Sequence, residues 1–498
     1  MTVVPMSEVL LLDGSTDQDA SVLGGKAWGI ELMRSLGVPV PPAFVLHTGV
    51  CKAYHAGGRV LPGAVSEALP AAMAELERTT GRRFGHEERP LLVSVRSGAP
   101  ISMPGMMDTI LNLGINDRVE RALVRHTGDA TFAADTRWRF SDQFRSTVGV
   151  TPPDDPWEQL SAAIVAVLDS WTGRRAIDYR RERGIPDDIG TAVTVQAMVF
   201  GNLDDRSGTG VLFTRDPLRG AVEPFGEWLP KGQGEDVVSG RANARPLDQL
   251  AVDLPDVHRE LMVHATMLER HRREVQDIEF TVESGRLWLL QSRAAKRSPE
   301  AAIRHSVQLQ QEGVITAHEA LDRIRPDDVQ WLLSRRLDVA AANSAVALAG
   351  GKQACPGVAV GRVVTDVDDA MERADAGEDV VLARPTTDPD DVAAMSTAVA
   401  VLTELGGATS HAAVVCRELG VPCVVGCGEG TVTTLAGQTV TVDATAGVAY
   451  AGRLPIVQVT ESEDPDLLKL RDWARAENAD SEETTLLTLL RRRHEATP

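Results

Sequence analysis

Short apolar runs, set between glycine-rich turns and stretches of helical periodicity, decide what this chain can fold into. Leu91–Val95, Ala192–Val199 and Leu287–Leu290 are strand-length runs with helical stretches between them. That alternation over residues 1 to about 295 predicts an α/β or α+β arrangement. At roughly 150 residues per domain, 498 residues make about two to four domains. No run approaches the roughly 18 apolar residues of a membrane span. The first nineteen residues carry Glu8, Asp13, Asp17 and Asp19 and lack a basic stretch followed by an apolar one. Neither a signal peptide nor a span is expected, and the reading is cytoplasmic.

Charge narrows the partners. Lys and Arg number 51 against 71 Asp and Glu, a net charge of −20, which speaks against a nucleic-acid or anionic-membrane partner. The five cysteines, Cys51, Cys355, Cys416, Cys423 and Cys427, are odd in number and too sparse for a disulfide framework. They read as small core residues. A zinc alternative at Cys416, Cys423 and Cys427 lacks a C-x₂-C pair.

A charged helical segment runs from Pro299 to about Leu337. The stretch Val339–Gly357 after it is rich in Ala and Gly. It reads equally as a swivel linker or as an alanine helix ending at Gly350. Residues 358–452 predict a compact α/β unit in which HAAVVCRELG is a short helix ending at Gly420. The final segment is acidic, then basic through Arg491–Arg493.

Four constellations carry chemistry. Gly24-Gly25-Lys26 precedes an apolar helix expected from Ala27, where the backbone can approach a phosphate and Lys can charge-pair it. An ordinary surface turn reads the same way. Next, Val93-Ser94-Val95-Arg96-Ser97 leads to a loop holding Ser102, Gly105 and Thr109, whose amides and hydroxyls can cradle phosphates while Arg96 grips them. A polar loop with one solvated Arg is the alternative. Third, Asp277-Ile278-Glu279 and Gln291-Ser292-Arg293 lie on two strands joined by Glu283-Ser284-Gly285. Alternation puts Asp277 and Glu279 on one face and Gln291 and Arg293 on one face of the neighbour. A carboxylate and an amide oxygen suit Mg²⁺. A cross-strand salt-bridge ladder is the plainer reading. Last, Gly406-Gly407-Ala408-Thr409-Ser410-His411 places an exposed imidazole at a helix start, where a phosphoryl group would meet helix N–H groups. Thr409 and Ser410 would orient the ring or bond the phosphate.

Taken in order, these motifs resemble the pyruvate phosphate dikinase family of phosphoenolpyruvate-utilising enzymes. The resemblance is carried by GGKAWGIELMRSLGVPVPPAF, VSVRSGAPISMPGMMDTILNLGIND, VTVQAMVFGN, GVLFTRDP, GQGEDVVSG, QDIEFTVESGRLWLLQSR and GGATSHAAVVCRELGVPCVVG. It implies an ATP-grasp-like nucleotide-binding domain over 1–298, with a helical insertion about 110–190. A helical linker over 299–352, a swivelling phosphohistidine domain over 353–452 and a tail over 453–498 would follow. It implies that Lys26, Arg96 and Arg293 bind nucleotide phosphates and that the backbone at Gln196–Met198 meets adenine. Glu279 and Gln291 would hold Mg²⁺ with Asp277 close by, and His411 would carry the phosphoryl group. ATP and phosphate would be substrates, with pyruvate or another small molecule as acceptor. A homodimer is compatible with this reading.

The departures matter as much. The family continues into a (β/α)₈ barrel of about 250 residues, whereas 46 residues follow position 452 here. The tail reads as a truncated lead-in to that barrel. Its leucines, Leu486, Leu487, Leu489 and Leu490, suit either a docking helix for a partner or a cap on the carrier domain. Glu404-Leu405 stands where the family has a small residue and Arg. Three classes compete: a phosphotransferase whose acceptor sits elsewhere, including on a separate barrel subunit, a non-cycling phosphocarrier or regulatory protein, and a degenerate fragment.

Overall fold

The chain folds as α/β throughout in the computed structural model, which describes residues 7–101, 103, 106–238, 244–333, 336–457, 460–477 and 485–496. It divides into two compact units, residues 1–208 with 280–292, and residues 209–279 with 293–498.

The first unit is built on a five-stranded sheet. Its strands are β1 (Val9–Leu11), β2 (Ala43–Leu46), β3 (Val93–Gly98), β4 (Thr109–Leu113) and β5 (Ala192–Ala197), in the order β1-β2-β5-β3-β4. All the pairings are antiparallel. Residues Ala192–Ala197 are buried at every position, as a central strand covered on both faces demands. Helix α1 (Gly25–Ser35) begins at the second glycine of the pair, two residues before the expected Ala27. Between β4 and β5 the chain forms the helices α2 (Asp117–Thr127), α3 (Ala130–Val148), α4 (Pro156–Ser170) and α5 (Arg174–Arg183). Asn116, Asp129 and Asp155 cap the first three through side-chain oxygens.

A second sheet contains β6 (Gly208–Phe213), β7 (Phe225–Pro230), β8 (Arg245–Pro246), β9 (Gln276–Glu283) and β10 (Arg286–Ala294), in the order β8-β7-β6-β9-β10. Ser284 and Gly285 join β9 to β10 with φ values of 51° and 79°. Two successive positive φ angles make a type I′ turn, whose twist matches that of the strands it joins. In the second unit, Arg215 Nη2 donates at 2.7 Å both to Glu269 on α6 (Pro255–Arg272) and to Glu312. Glu312 immediately follows α7 (Pro299–Gln311), so this buried fork ties α7 back to the sheet region.

An eight-stranded sheet carries the rest. In chain order its strands are β11 (Ala347–Gly350), β12 (Lys352–Cys355), β13 (Val358–Val364), β14 (Val380–Arg384), β15 (Ala400–Thr403), β16 (Cys423–Val425), β17 (Thr439–Asp443) and β18 (Val448–Ala451). The spatial order is β11-β18-β17-β13-β14-β15-β16-β12, with β13 to β16 parallel. Alternation holds on β14, where Val380 and Leu382 join one core and Val381 and Ala383 the other. The Ala/Gly stretch is therefore neither a helix reaching Gly350 nor a bare linker. After the short helix Val339–Ser344 it supplies both edge strands of this sheet. Only Gly351 separates β11 from β12, so the sheet curls until its two edges meet. A Cβ on Gly351 would lie 2.6 Å from the Val425 carbonyl oxygen, which explains the glycine.

The tail's place also differs from expectation. Helices α11 (Pro465–Glu477) and α12 (Leu486–Ala496) pack on α7, α8 (Ala317–Asp322) and α9 (Pro326–Leu332). Leu486, Leu489 and Leu490 are fully or almost fully buried there. Arg493 adds a pair with Asp322 at 2.6 Å. The apolar face that could have met a partner thus covers the chain's own linker helices rather than the carrier sheet. Among the described residues, no helix is long and apolar enough to cross a membrane.

Candidate active site

In the first unit, the glycine pair of GGK brings two loops together. Gly24 holds φ 75°, and a Cβ there would fall 1.8 Å from the Gly98 carbonyl oxygen at the end of β3. The Gly25 N–H donates to the Ala99 carbonyl at 3.0 Å. Lys26 is thereby seated against Gly98, two residues beyond Arg96. Thr109 lies directly opposite Arg96 in the β3–β4 register. A Cβ on Gly29 would sit 3.1 Å from the Ser292 carbonyl oxygen, so α1 also runs close beside the residue that follows Gln291. Lys26, Arg96 and Thr109 thus lie near the N-terminal part of α1, two cations and a hydroxyl of the kinds suited to phosphate oxygens. Of the loop between, Ser102 and Gly105 lie outside the described residues. Met103 and Met106, buried in the main core, anchor it.

Backbone groups around Gln196 and Met198 are already engaged. The Met198 N–H donates to the Leu92 carbonyl at 2.9 Å, and the Ala197 N–H to Pro42 at 2.9 Å. The Met198 carbonyl accepts from Arg82 Nη1 at 3.4 Å, and Gln196 Nε2 donates to the Pro41 carbonyl at 3.2 Å.

At the root of the hairpin, within the second unit, Arg293 Nε donates to Asp277 Oδ2 at 2.8 Å. The Asp277 charge first, and the Glu279 charge as well, raise the Arg293 pKa against the effect of burial. The salt bridge that the sequence also allowed is therefore present. It does not exhaust the site, because Asp277 Oδ1 is buried without a hydrogen-bond partner among the described residues. A buried carboxylate oxygen left over beside a second carboxylate is a cation-accepting arrangement, and its all-oxygen chemistry fits Mg²⁺.

The histidine loop leaves the C-terminal end of β15 and enters helix α10 (His411–Leu419), which Gly420 closes in the left-handed region at φ 70°. The ring is half-buried rather than exposed, and it is held by a residue far from the motif. Thr387 Oγ1 lies 3.3 Å from His411 Nδ1, while His411 Nε2 is buried and has no partner among the described residues. Burial lowers the His411 pKa, with Asp388 and Asp391 opposing, so the imidazole is neutral at neutral pH. Thr409 does not orient the ring. Its hydroxyl donates to Glu227 Oε2 on β7 at 2.7 Å. Ser410, the N-cap residue, makes no side-chain cap bond, and its hydroxyl is buried without a partner among the described residues.

Two matches to known families cover Arg96, Thr109, Gln196–Met198 and His411, and leave Lys26 and the hairpin residues Asp277–Arg293 outside them. Residues 55–257 match the family described as pyruvate phosphate dikinase, AMP/ATP-binding domain. Residues 376–447 match the mobile domain of PEP-utilising enzymes. The pyruvate, phosphate dikinase of Rhizobium meliloti (strain 1021) is 38% identical over 93% of this chain and 59% of its own length. That of Clostridium symbiosum is 37% identical over 94% and 61%. That of Entamoeba histolytica is 39% identical over 91% and 58%. The chain joins a pyruvate phosphate dikinase-type AMP/ATP-binding domain to the mobile domain of PEP-utilising enzymes. It spans about three fifths of the length of these relatives. The ATP-grasp-like α/β character expected for a dikinase nucleotide domain is the fold observed.

Three residues of this chain escaped sequence reasoning. Thr387 was one hydroxyl among many until the fold set it on the ring. Glu227 is 6% exposed, and a Cβ on Gly407 would lie 2.5 Å from its Oε1, so the second glycine of the motif makes room for this carboxylate. Lys352 Nζ stands 3.6 Å from the same oxygen. A lone carboxylate inside the apolar strand FGEWLP was the available signal. Arg417 is 1% exposed and donates through Nη1 to the carbonyls of Ala408 and Ala354 at 2.9 and 3.1 Å, bracing the histidine loop from behind. The cysteines are core residues as expected. Cys355, Cys416 and Cys423 are fully buried, and burial pushes the Cys427 thiol up to about 12.

Proposed function

We propose that this chain is an ATP-dependent phosphotransferase of the pyruvate phosphate dikinase type that charges His411 with the β-phosphate of ATP. The observation that carries the reading is His411 itself. It is neutral, steadied at Nδ1 by Thr387, and it keeps an unengaged Nε2 at the start of α10. With Nδ1–H donating to Thr387, the Nε2 lone pair is the nucleophile.

Atoms balance in two transfers. Nε2 attacks the β-phosphorus, the bond from the bridging oxygen to that phosphorus breaks, and AMP leaves with the electron pair. Phosphate then takes the γ-phosphoryl group from the histidine-bound diphosphate, releasing pyrophosphate and leaving phosphohistidine. Lys26, Arg96 and Arg293 bind nucleotide phosphates, Thr109 hydrogen-bonds them, and the Gln196–Met198 segment borders the base. Ser102 and Gly105 belong to the same phosphate loop. Glu279 and Gln291 would hold Mg²⁺, with Asp277 beside them, and when bound the ion would neutralise phosphate charge. The acceptor, pyruvate or another small molecule, is bound outside this chain, for which a separate barrel subunit is one source, or in a pocket of the chain not yet assigned. Residues 353–452 act as the mobile carrier, and the protein works in the cytoplasm.

Incubation with β-labelled ATP tests the reading. Label should reach the wild-type chain as an acid-labile, base-stable adduct and be absent from His411→Ala. Label retained by that variant would overturn it.

A further inference from the structure

Apart from the residues assigned above, the first unit contains a cleft of about 520 Å³, within the range of small-molecule sites. Its floor is aromatic. Phe132 and Phe200 meet edge to face with centroids 5.3 Å apart, and Leu123 and Leu203 flank them. One wall is acidic. Glu283 accepts from Arg82 at 3.1 Å and from the Phe200 N–H at 3.2 Å. Asp204 accepts from Ser284 Oγ at 2.5 Å and from Ser207 Oγ at 2.6 Å. Burial works against ionisation of Asp204, yet these hydrogen bonds keep its pKa below the ordinary carboxylate value.

At Arg89 and His126 the cleft continues into a shallower recess of about 860 Å³, which Arg118 and Arg125 also line. Glu87 and Glu88 line the same recess beside these guanidinium groups. Arg125 reaches Glu87 at 3.5 Å. The side chains of Arg89 and Arg118 make no ion pair or hydrogen bond among the described residues. Arg89 is held at the junction by a backbone with φ 51°, its N–H donating to His126 Nε2 at 3.1 Å. A non-glycine residue kept in that region is fixed by its surroundings, here with its side chain at the mouth of the cleft.

An aromatic floor, fixed hydrogen-bond acceptors on one wall and unpaired guanidinium groups at the mouth match a flat base with N–H donors and a phosphate tail. We propose that this cleft is a second ligand site, for a purine nucleoside 5′-monophosphate. The base stacks against the Phe132–Phe200 floor with its amino edge toward Asp204 and Glu283, and the phosphate meets Arg89 and Arg118. None of Lys26, Arg96, Gln291 or Met198 lines it, although Arg82 and Glu283 on its wall also line the neighbouring pocket at Met198.

Isothermal titration of the full chain with AMP and with GMP tests this, with and without a saturating non-hydrolysable ATP analogue. At least one nucleotide should bind with the analogue present. Arg89→Glu/Arg118→Glu should weaken that binding about tenfold or more while analogue binding is unchanged. Both positions are exposed, and Arg118→Glu alone should show the same direction if the double variant is poorly folded. Ribose 5-phosphate should bind much more weakly. The proposal fails if neither nucleotide binds, if the analogue abolishes their binding, if the charge reversals leave it unchanged, or if ribose 5-phosphate binds equally well. Failure of the analogue to bind would count against the ATP reading instead, and the titrations without it would still decide this one.

Discussion

Replacing Thr387 by Val keeps the side-chain shape and removes the one hydrogen bond that the His411 ring makes among the described residues. A neutral hydrogen bond of this kind contributes about 0.5–1.5 kcal/mol net, and at 3.3 Å this one belongs in the lower half of that range. If the bond does nothing but hold the ring, its loss should slow charging about two- to fivefold, since about 1.4 kcal/mol is a factor of ten. A larger effect is expected if it also fixes the tautomer. Without the hydroxyl as acceptor, the ring is free to carry its proton on Nε2, which removes the nucleophilic lone pair. Thr387→Ser restores the acceptor and should recover most of the rate, whereas a role in packing alone would be rescued by Val and not by Ser. The assay is single-turnover transfer from β-labelled ATP, quenched in base and read as protein-bound label across pH. Wild-type rates and an unchanged pH profile in Thr387→Val would refute the reasoning.

Glu279→Ala and Arg293→Ala should each reduce charging by about 10²–10³-fold, read in the same assay. Undiminished charging in both would make the hairpin root a structural salt bridge only. Burial lowers the His411 pKa, so the neutral nucleophilic form persists below the ordinary histidine value of about 6.5. The acid limb of the charging rate should therefore lie below that pH, and a limb at or above it would contradict the assignment. Because the unfolded chain takes up this proton more readily, the linked stability is present above the unfolded value and is lost as pH falls through it, which denaturant titrations at several pH values can follow. Arg215→Met leaves Glu269 buried without its partner and should cost about 3–5 kcal/mol in denaturant unfolding. Glu227→Ala strands the buried Thr409 hydroxyl and should loosen the histidine loop, seen as faster amide exchange over residues 405–411. Unchanged exchange would show that the bond does not hold the loop.

Motifs that build their own geometry were legible. Gly24 needs a positive φ and a close approach to Gly98, Gly420 needs the left-handed cap, and the Ser284-Gly285 turn fixes a hairpin. The last two requirements are met by residues adjacent in sequence, so the sequence displays them, whereas the Gly98 that Gly24 approaches is remote in sequence. Placing Lys26, Arg96 and Thr109 in one unit followed from the same local signals. The Ala/Gly stretch Val339–Gly357 was misread for the opposite reason. Alanine and glycine carry little periodic information, and what makes residues 347–355 strands is the pair of free edges waiting on β18 and β16. The tail leucines had the right helical spacing, but spacing alone does not say which apolar surface they cover.

The environment of His411 shows where local reading stops. GGATSH predicted an exposed ring attended by its own neighbours, Thr409 and Ser410. The ring is instead half-buried against Thr387, which comes from the loop after β14, and Thr409 faces Glu227, 182 positions away. A motif can specify a backbone turn, but the polar groups it buries must find partners wherever the fold brings them. Here the motif hydroxyl nearest the histidine is tied to a carboxylate, and the hydroxyl that steadies the ring lies outside the motif. This arrangement separates two tasks. In the proposed reaction Thr387 would prepare Nε2 for attack, while Glu227 and Arg417 hold the loop that presents it. Substitutions at Thr387 should therefore act on the rate of charging and those at Glu227 on the mobility of the loop, and a Thr387 variant that moved only loop exchange would show that the tasks are not divided in this way.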